Sequence, residues 1–180
     1  GDAPTEYAAL IGAGTFLAAT ELAHLLLLRG ETAEAAELLE RTAAEHPRHA
    51  PALRLLAFAR AATGADTTSP LPASALPLLA AVLDARLAEI DIDGFVALVT
   101  LTERIEGLGS RERHELLACL YLERGFVDSA ADEWAAACEE HGPDAAALTG
   151  LSRVAAARGN HEDAEVFAEG ARELAGQSAA

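Results

Sequence analysis

The chain has 180 residues, of which 51% are hydrophobic and 23% are charged, a balance typical of a folded protein rather than a disordered one. Its 29 acidic residues outnumber 13 basic ones, all of them arginine, and the formal net charge is −16. Binding to nucleic acid or to an anionic membrane surface requires a basic patch, and no part of the sequence offers one. We therefore expect neither nucleic acid nor a membrane as a partner.

Two cysteines are present, Cys119 and Cys138. They fall on what we predict to be the two helices of one hairpin and could lie near each other. Two cysteines do not form a disulfide framework in a chain of this length, so we expect two small buried thiols. A reducing compartment is slightly favoured, and we predict a cytoplasmic location.

In chain order, the first feature is the apolar run over residues 7–28, whose length approaches that of a membrane span. Glu21 and His24 interrupt this run, and no basic segment precedes it. Neither a signal peptide nor membrane insertion is supported by that pattern. We predict a buried helix, and residues 5–12 could be the tail of an earlier helix in a longer chain.

Four glycines then define a repeat. Gly30 and Gly64 are 34 residues apart, and so are Gly125 and Gly159. Between Phe16 and Pro47 almost every position of the repeat carries the type of residue that a pair of packed helices needs. Ala23 and Ala35 allow two helices to approach closely, Gly30 ends the first helix in the left-handed conformation, and Pro47 ends the second. The pattern predicts a helical hairpin.

The next stretch is less regular. A helix is predicted over residues 51–62, whereas residues 65–73 read ADTTSPLPA, which predicts a loop or an irregular link where the array is broken or bent. Residues 74–89 carry apolar residues at helical spacing, with Ser74 as the cap and Pro77 in the first turn. Residues 93–106 also favour a helix, which residues 107–110 end.

The last two repeats follow the same positions. The first begins near Arg111 and is closed by Gly142 and Pro143; its characteristic residues are Leu117, Ala118, Tyr121, Gly125, Ala130, Trp134 and Ala137. The second is rich in alanine, with Leu148, Leu151, Ser152, Ala155, Gly159, Ala164, Ala168 and Ala171 at the corresponding positions.

These residues resemble the tetratricopeptide repeat family over residues 15 to 175, with a gap at 65–74. The resemblance implies an all-α fold: an α-solenoid of antiparallel helix pairs in a right-handed superhelix, with about four or five repeats. The single domain, 1–180, would comprise 15–48, 49–64 with the link 65–74, 75–109, 110–143 and 144–176. A weaker resemblance joins residues 120–133 to repeat segments that accompany bacterial family-2 glycosyltransferases.

Catalytic and metal-binding motifs are incomplete. Gly12 and Gly14 begin like a dinucleotide-binding fingerprint, but Leu17 replaces its third glycine, so we predict a turn before the first helix. His114 starts like a zinc-protease helix, but Ala118 stands where a second histidine is needed. The remaining histidines of the predicted turns, which we expect to be solvated, are His46, His49 and His141. We expect no enzyme activity, cofactor or metal.

In the tetratricopeptide family the first helix of each pair lines a concave groove that holds a peptide or helical segment of a partner. Solvation or ordinary packing is the alternative for each residue. The resemblance places the following residues in such a groove: Leu17, Thr20, His24, Leu27, Arg54, Phe58, Ala61, Asp84, Glu112, Glu115, Cys119, Leu122, Thr149 and Arg153.

The resemblance therefore implies a scaffold for protein–protein interaction. Chaperone tails are not expected as partners, since their clamps use lysine and asparagine, and this chain has no lysine and only Asn160. Glu112 and Glu115 favour a basic or neutral segment. The alternative is an accessory repeat domain of a larger enzyme such as a glycosyltransferase, which a catalytic domain in the same gene would favour.

Residues 25–28 are four consecutive leucines, so the first helix is expected to be covered on more than one side. Residues 5–12 could supply that cover, or a second copy of the chain could do so in a homodimer.

Overall fold

The computed structural model describes residues 5–178, and it describes side chains over residues 15–177. Within this range the chain is all-α, as predicted, and no residue belongs to a strand. Short 3-10 helices occur at Ala73–Ala75 and Thr100–Arg104. The α-helices are α1 (Thr5–Leu28), α2 (Thr32–Glu45), α3 (Ala50–Ala62), α4 (Leu76–Ala88), α5 (Ile92–Val99), α6 (Ser110–Glu123), α7 (Val127–His141), α8 (Ala145–Ala157) and α9 (His161–Ser178).

The helices form two compact units. Over the described residues, unit 1 comprises residues 5–86 and 96–106, and unit 2 comprises residues 87–95 and 107–178. In unit 1, α1 packs on α2 and α3, and α2 packs on α3. In unit 2, α6 packs on α7 and α8, α7 on α8, and α8 on α9.

The four glycines of the repeat all adopt positive φ angles, between 73° and 82°, and each follows the end of a helix. At the end of α1 the Gly30 N–H donates to the Leu27 carbonyl at 3.0 Å and the Glu31 N–H donates to the Leu26 carbonyl at 2.9 Å. This pair of bonds satisfies carbonyls that the helix end leaves without intrahelical donors. Equivalent pairs close α6 at Gly125 and α8 at Gly159, so the predicted role of these glycines as helix ends is confirmed.

One left-handed turn is made without glycine. Ile90 follows α4 with a φ of 58°, and its N–H donates to the Leu87 carbonyl at 3.1 Å. A β-branched residue in this conformation is strained, because its side chain crowds the backbone. The turn between α4 and α5 therefore has the hydrogen bond of a glycine turn without the residue that favours it.

Two predicted boundaries are wrong. Helix α1 begins at Thr5, so Gly12 and Gly14 lie inside it rather than in a turn before it. The helix predicted to run to residue 106 instead ends as α5 at Val99 and continues as a 3-10 helix only to Arg104. Ile105 is then extended and forms an isolated parallel bridge with Leu71.

That bridge belongs to the link after α3, which is irregular as predicted. The Leu71 N–H donates to the Arg104 carbonyl at 2.7 Å, and the Glu106 N–H donates to the Leu71 carbonyl at 2.8 Å. The Arg104 guanidinium also donates to the carbonyls of Asp66 and Ser69. Ser74, predicted to cap a helix, lies inside a 3-10 turn that has no side-chain cap.

The small residues of the repeat are buried where helices approach each other. Ala23 and Ala35 are fully buried in unit 1, as the sequence predicts. In unit 2, Trp134 packs in a core with Ala118, Ala130, Ala147 and Val154. Among the described residues, no helix combines the length and the apolar character that a membrane span requires.

Gly150 of α8 faces the buried ring of Trp134 so closely that a Cβ atom there would overlap the indole. Glycine to alanine inside a helix usually stabilises, but we expect Gly150→Ala to lower the free energy of unfolding by about 2 kcal/mol because the core becomes overpacked. The measurement is urea denaturation followed by circular dichroism. Gly176→Ala in α9, where a Cβ meets no atom within 4 Å, is the control and should be neutral or slightly stabilising. Equal effects of the two substitutions would contradict this packing.

Ile90→Gly should raise the free energy of unfolding by about 1 kcal/mol, because glycine relieves the left-handed strain and the lost side chain, 72% exposed, contributes little burial. Gly125→Ala is the converse change and should lower it by a similar amount. Chemical denaturation of both variants tests the pair, and a destabilised Ile90→Gly protein would show that Ile90 is not strained.

Candidate functional site

A cavity of about 690 Å³ opens in unit 1, which we call the unit 1 cavity. Its volume lies within the range of small-molecule and side-chain binding pockets. The residues that line it come from α1, from α3 and from the segment that leads into α4: Thr20, Glu21, His24, Leu28, Pro51, Arg54, Leu55, Phe58, Pro72, Ser74, Ala75, Pro77, Leu78 and Ala81.

Helical spacing explains why α3 contributes one continuous face. Pro51, Arg54, Leu55 and Phe58 are separated by three, one and three residues, which places them along one side of a helix. The Phe58 ring is 1% exposed, and it gives the cavity an apolar base that belongs to the core. The α3 face thus offers apolar surface at the base of the cavity.

The α1 face of the cavity is fixed by a cluster around Phe16. The Thr20 hydroxyl donates to the Phe16 carbonyl at 2.7 Å, and His49 Nε2 lies 3.1 Å from the same hydroxyl oxygen. Because the single hydroxyl proton is already used, His49 Nε2 is the donor of the second bond. The Phe16 ring packs on His46 and His49, with ring centroids 4.4 Å and 4.8 Å apart.

This cluster corrects the prediction that the histidines beside Pro47 are solvated. His46 and His49 are half-buried, since they stack on Phe16 and hold the α2–α3 turn against α1. His141, by contrast, is exposed, as predicted.

Three ionisable side chains of the unit 1 cavity have no hydrogen-bond or ion-pair partner within the described part of the chain. Glu21 on α1 and Arg54 on α3 are exposed, and His24 is half-buried. Arg54 differs in this from Arg60 on the same helix, which donates to Glu40 at 2.9 Å. The unit 1 cavity therefore combines apolar surfaces with charges that are available to a ligand.

The structure brings together four of the residues that the sequence assigned to a groove: Thr20, His24, Arg54 and Phe58 all line the unit 1 cavity. Other unit 1 residues of that set lie elsewhere. Leu17 is 49% exposed and does not line the cavity, while Leu27 and Ala61 are buried in the core and are not accessible to a bound segment. Asp84 is half-buried outside the cavity lining.

The residues assigned to a groove in unit 2 have mixed surroundings. Glu112, Thr149 and Arg153 are exposed, and Glu115 is half-buried. Cys119 and Leu122 pack against the Trp134 core. Thr149 also lines a smaller cleft of about 330 Å³ between α8 and α9, which is lined mainly by alanine.

Cys119 and Cys138 are both free and half-buried, so the expectation of two thiols without a disulfide holds. Burial raises the pKa of the Cys119 thiol, against the opposing effect of Arg153. Burial likewise raises the pKa of the Cys138 thiol, which Arg111 opposes. Both thiols therefore stay protonated at neutral pH, unlike the thiolates of reactive cysteines.

The helices α6 and α7 are joined by polar contacts. His114 Nδ1 lies 2.6 Å from Glu133 Oε2, and the Ser110 hydroxyl donates to Glu140 Oε2 at 2.5 Å. That hydrogen bond from Ser110 is the main reason that the pKa of Glu140 is lowered. Ser110 thus links the start of α6 to the end of α7. Over residues 15–177, no three metal-ligating side chains are grouped to hold an ion.

No family model matches the chain, and no curated protein or solved structure is significantly similar to it.

The segment from Pro72 to Ala81 is the part of the unit 1 cavity that sequence reasoning did not assign to a site. Of α4 the resemblance assigned only Asp84 to the groove, and it left the proline-bearing link outside the repeats. The available signal was the placement of Pro72 and Pro77, which fix the chain direction at the cavity rim.

The link after α3 contains a carboxyl group, that of Asp66, whose pKa is lowered. Hydrogen bonds from Ser69 and Thr68, with the Arg104 guanidinium nearby, hold the pKa of Asp66 at about 2, below its usual 3.8. A carboxyl group with a lowered pKa stabilises the folded state above its unfolded pKa, and the contribution is lost as the pH falls through the folded value. We expect the Asp66 carboxyl carbon to titrate in an NMR experiment with a midpoint near 2. A midpoint near 4 would mean that the link is not held in this way.

Proposed function

We propose that the chain is a tetratricopeptide-like α-solenoid that acts as a protein–protein interaction scaffold, and that it holds a peptide or helical segment of a partner in the unit 1 cavity. The observation that carries this proposal is the unit 1 cavity itself: apolar surfaces of α1, α3 and α4 meet around Phe58 beside polar groups that have no partner within the described chain. Such a combination of apolar anchor site and orienting polar groups is typical of binding pockets.

The repeated helix ends support the solenoid part of the proposal. The helices α1, α6 and α8 end with the same two backbone hydrogen bonds, each at a glycine of the predicted repeat. Short turns at these glycines connect α1 to α2, α6 to α7 and α8 to α9, and the two helices of each pair pack on each other. The first helices of neighbouring pairs also touch, since α1 packs on α3 and α6 on α8. Stacking of this kind is how helical repeats bury their apolar faces.

The state of the two thiols supports a binding role rather than thiolate catalysis, since burial raises the pKa of each thiol and keeps both protonated. We infer a protein without enzyme activity, cofactor or metal, with a cytoplasmic location as predicted from its composition. A protein partner gains most affinity by burying a few apolar side chains, which the unit 1 cavity can accommodate.

We also propose a homodimer, because one side of α1 exposes leucine side chains. Leu26 and Leu27 are buried and Leu28 is half-buried, but Leu22 and Leu25 are 51% and 57% exposed. The cover that residues 5–12 were expected to provide involves side chains outside the described range. A second copy of the chain could cover this side of α1.

The binding proposal is tested by selecting peptides from a phage-displayed random library on the immobilised chain and measuring their affinity by fluorescence anisotropy. Ala81→Phe places a ring into the unit 1 cavity from an exposed position of α4 and should weaken binding at least about tenfold, because the apolar anchor of the peptide loses its place. Ala156→Phe, at an exposed position of α8, is the matched control and should leave the affinity unchanged. The proposal fails if no peptide is selected or if both variants bind equally well.

A further inference from the structure

The unit 1 cavity carries two opposite charges that do not neutralise each other. Glu21 is on α1 and Arg54 is on α3, and no ion pair joins them or links either to another residue within the described part of the chain. While the cavity is open, water hydrates both groups. A segment that covers the cavity removes part of that water, and a charge without a partner is then costly.

The occupant must therefore supply the partners. The Arg54 guanidinium presents only hydrogen-bond donors, so it is satisfied best by a carboxylate, which it can bind through two parallel bonds. Glu21 presents only acceptors when ionised, and a basic side chain or a hydroxyl satisfies it. The apolar lining around Phe58 and Leu55 calls for a large apolar side chain between these two polar contacts.

The net charge of the chain does not oppose an acidic group at this place. Over the described residues, unit 2 has 17 acidic residues and six arginines, whereas unit 1 has 11 acidic residues and seven arginines. Charges farther away than about 8 Å are largely screened at physiological ionic strength. The nearest charges thus decide the preference, and at the α3 side of the cavity that charge is Arg54.

We propose that the segment bound in the unit 1 cavity is amphipathic and carries a large apolar side chain with an acidic residue beside it, the acidic side chain pairing with Arg54. This inference rests on the proposed function and adds the chemistry of its partner. It differs from the basic or neutral segment expected from Glu112 and Glu115, which lie in unit 2.

The experiment repeats the library selection on the wild type and on Arg54→Glu, with peptides displayed as fusions at their carboxyl ends so that only side-chain carboxylates are offered. Wild-type protein should select an acidic residue close to a large apolar one, and Arg54→Glu should select a basic residue in its place. A synthetic peptide with the acidic residue should lose affinity for Arg54→Glu by about fivefold or more, and its charge-reversed counterpart should regain it.

Arg48→Glu is the matched control, since it changes the net charge equally at an exposed position that does not line the unit 1 cavity. Circular dichroism and thermal melting confirm that each variant is folded, and Arg54→Gln replaces Arg54→Glu if charge reversal prevents folding. The inference would be overturned, and the binding function left intact, if Ala81→Phe excludes the selected peptides but these peptides show no acidic preference. The same holds if the peptides lose as much affinity for Arg48→Glu as for Arg54→Glu.

If no peptide is selected, or if Ala81→Phe does not affect binding, the proposed function fails together with the inference. A dimer in sedimentation velocity that Ala81→Phe dissociates would identify a second copy of the chain as the occupant and would also overturn the inference.

Discussion

The structure depends on the left-handed turns that follow α1, α6 and α8. A helix that ends in this way sends the chain back along itself, and the two backbone bonds at Gly30, Gly125 and Gly159 remove the cost of leaving the last carbonyls unpaired. An isolated pair of short helices cannot bury enough apolar surface to be stable. Small residues such as Ala23 and Ala118 then allow neighbouring helices to pack closely, and the pairs support one another within each unit.

The unit 1 cavity follows from an interruption of this pattern. After α3 the chain does not form a second helix at once but passes through an irregular link that Arg104 fastens through Asp66 and Ser69. The link carries Pro72 to the rim of the cavity and delays α4, so the apolar faces of α1 and α3 keep an opening beside Phe58. The site that we propose for a partner thus lies at the irregular link, and rigid scaffolds that position irregular segments commonly provide such sites.

Much of the secondary structure could be predicted because glycine, proline and alanine each have a well-defined effect on local backbone conformation or helix packing. The positive φ angles at Gly30 and Gly64 and the end of α2 before Pro47 follow from backbone sterics alone. Ile90 could not be predicted as a left-handed turn, since its side chain disfavours the conformation that the surrounding structure imposes. The bridge of Ile105 to Leu71 is a contact between distant segments, which local periodicity cannot reveal. Similarly, repeat positions gave the α1 and α3 sides of the cavity, while the α4 side depends on how the link folds.

The position of Trp134 has a practical consequence for studying how the two units behave. It is the only tryptophan of the chain. It lies on α7, and its side chain is buried against α8 in unit 2. Its fluorescence emission therefore reports on unit 2 alone, whereas the far-ultraviolet signal of the helices reports on both units. Unfolding curves that coincide for the two signals would indicate one cooperative transition, and curves that separate would assign a stability to each unit without dividing the chain.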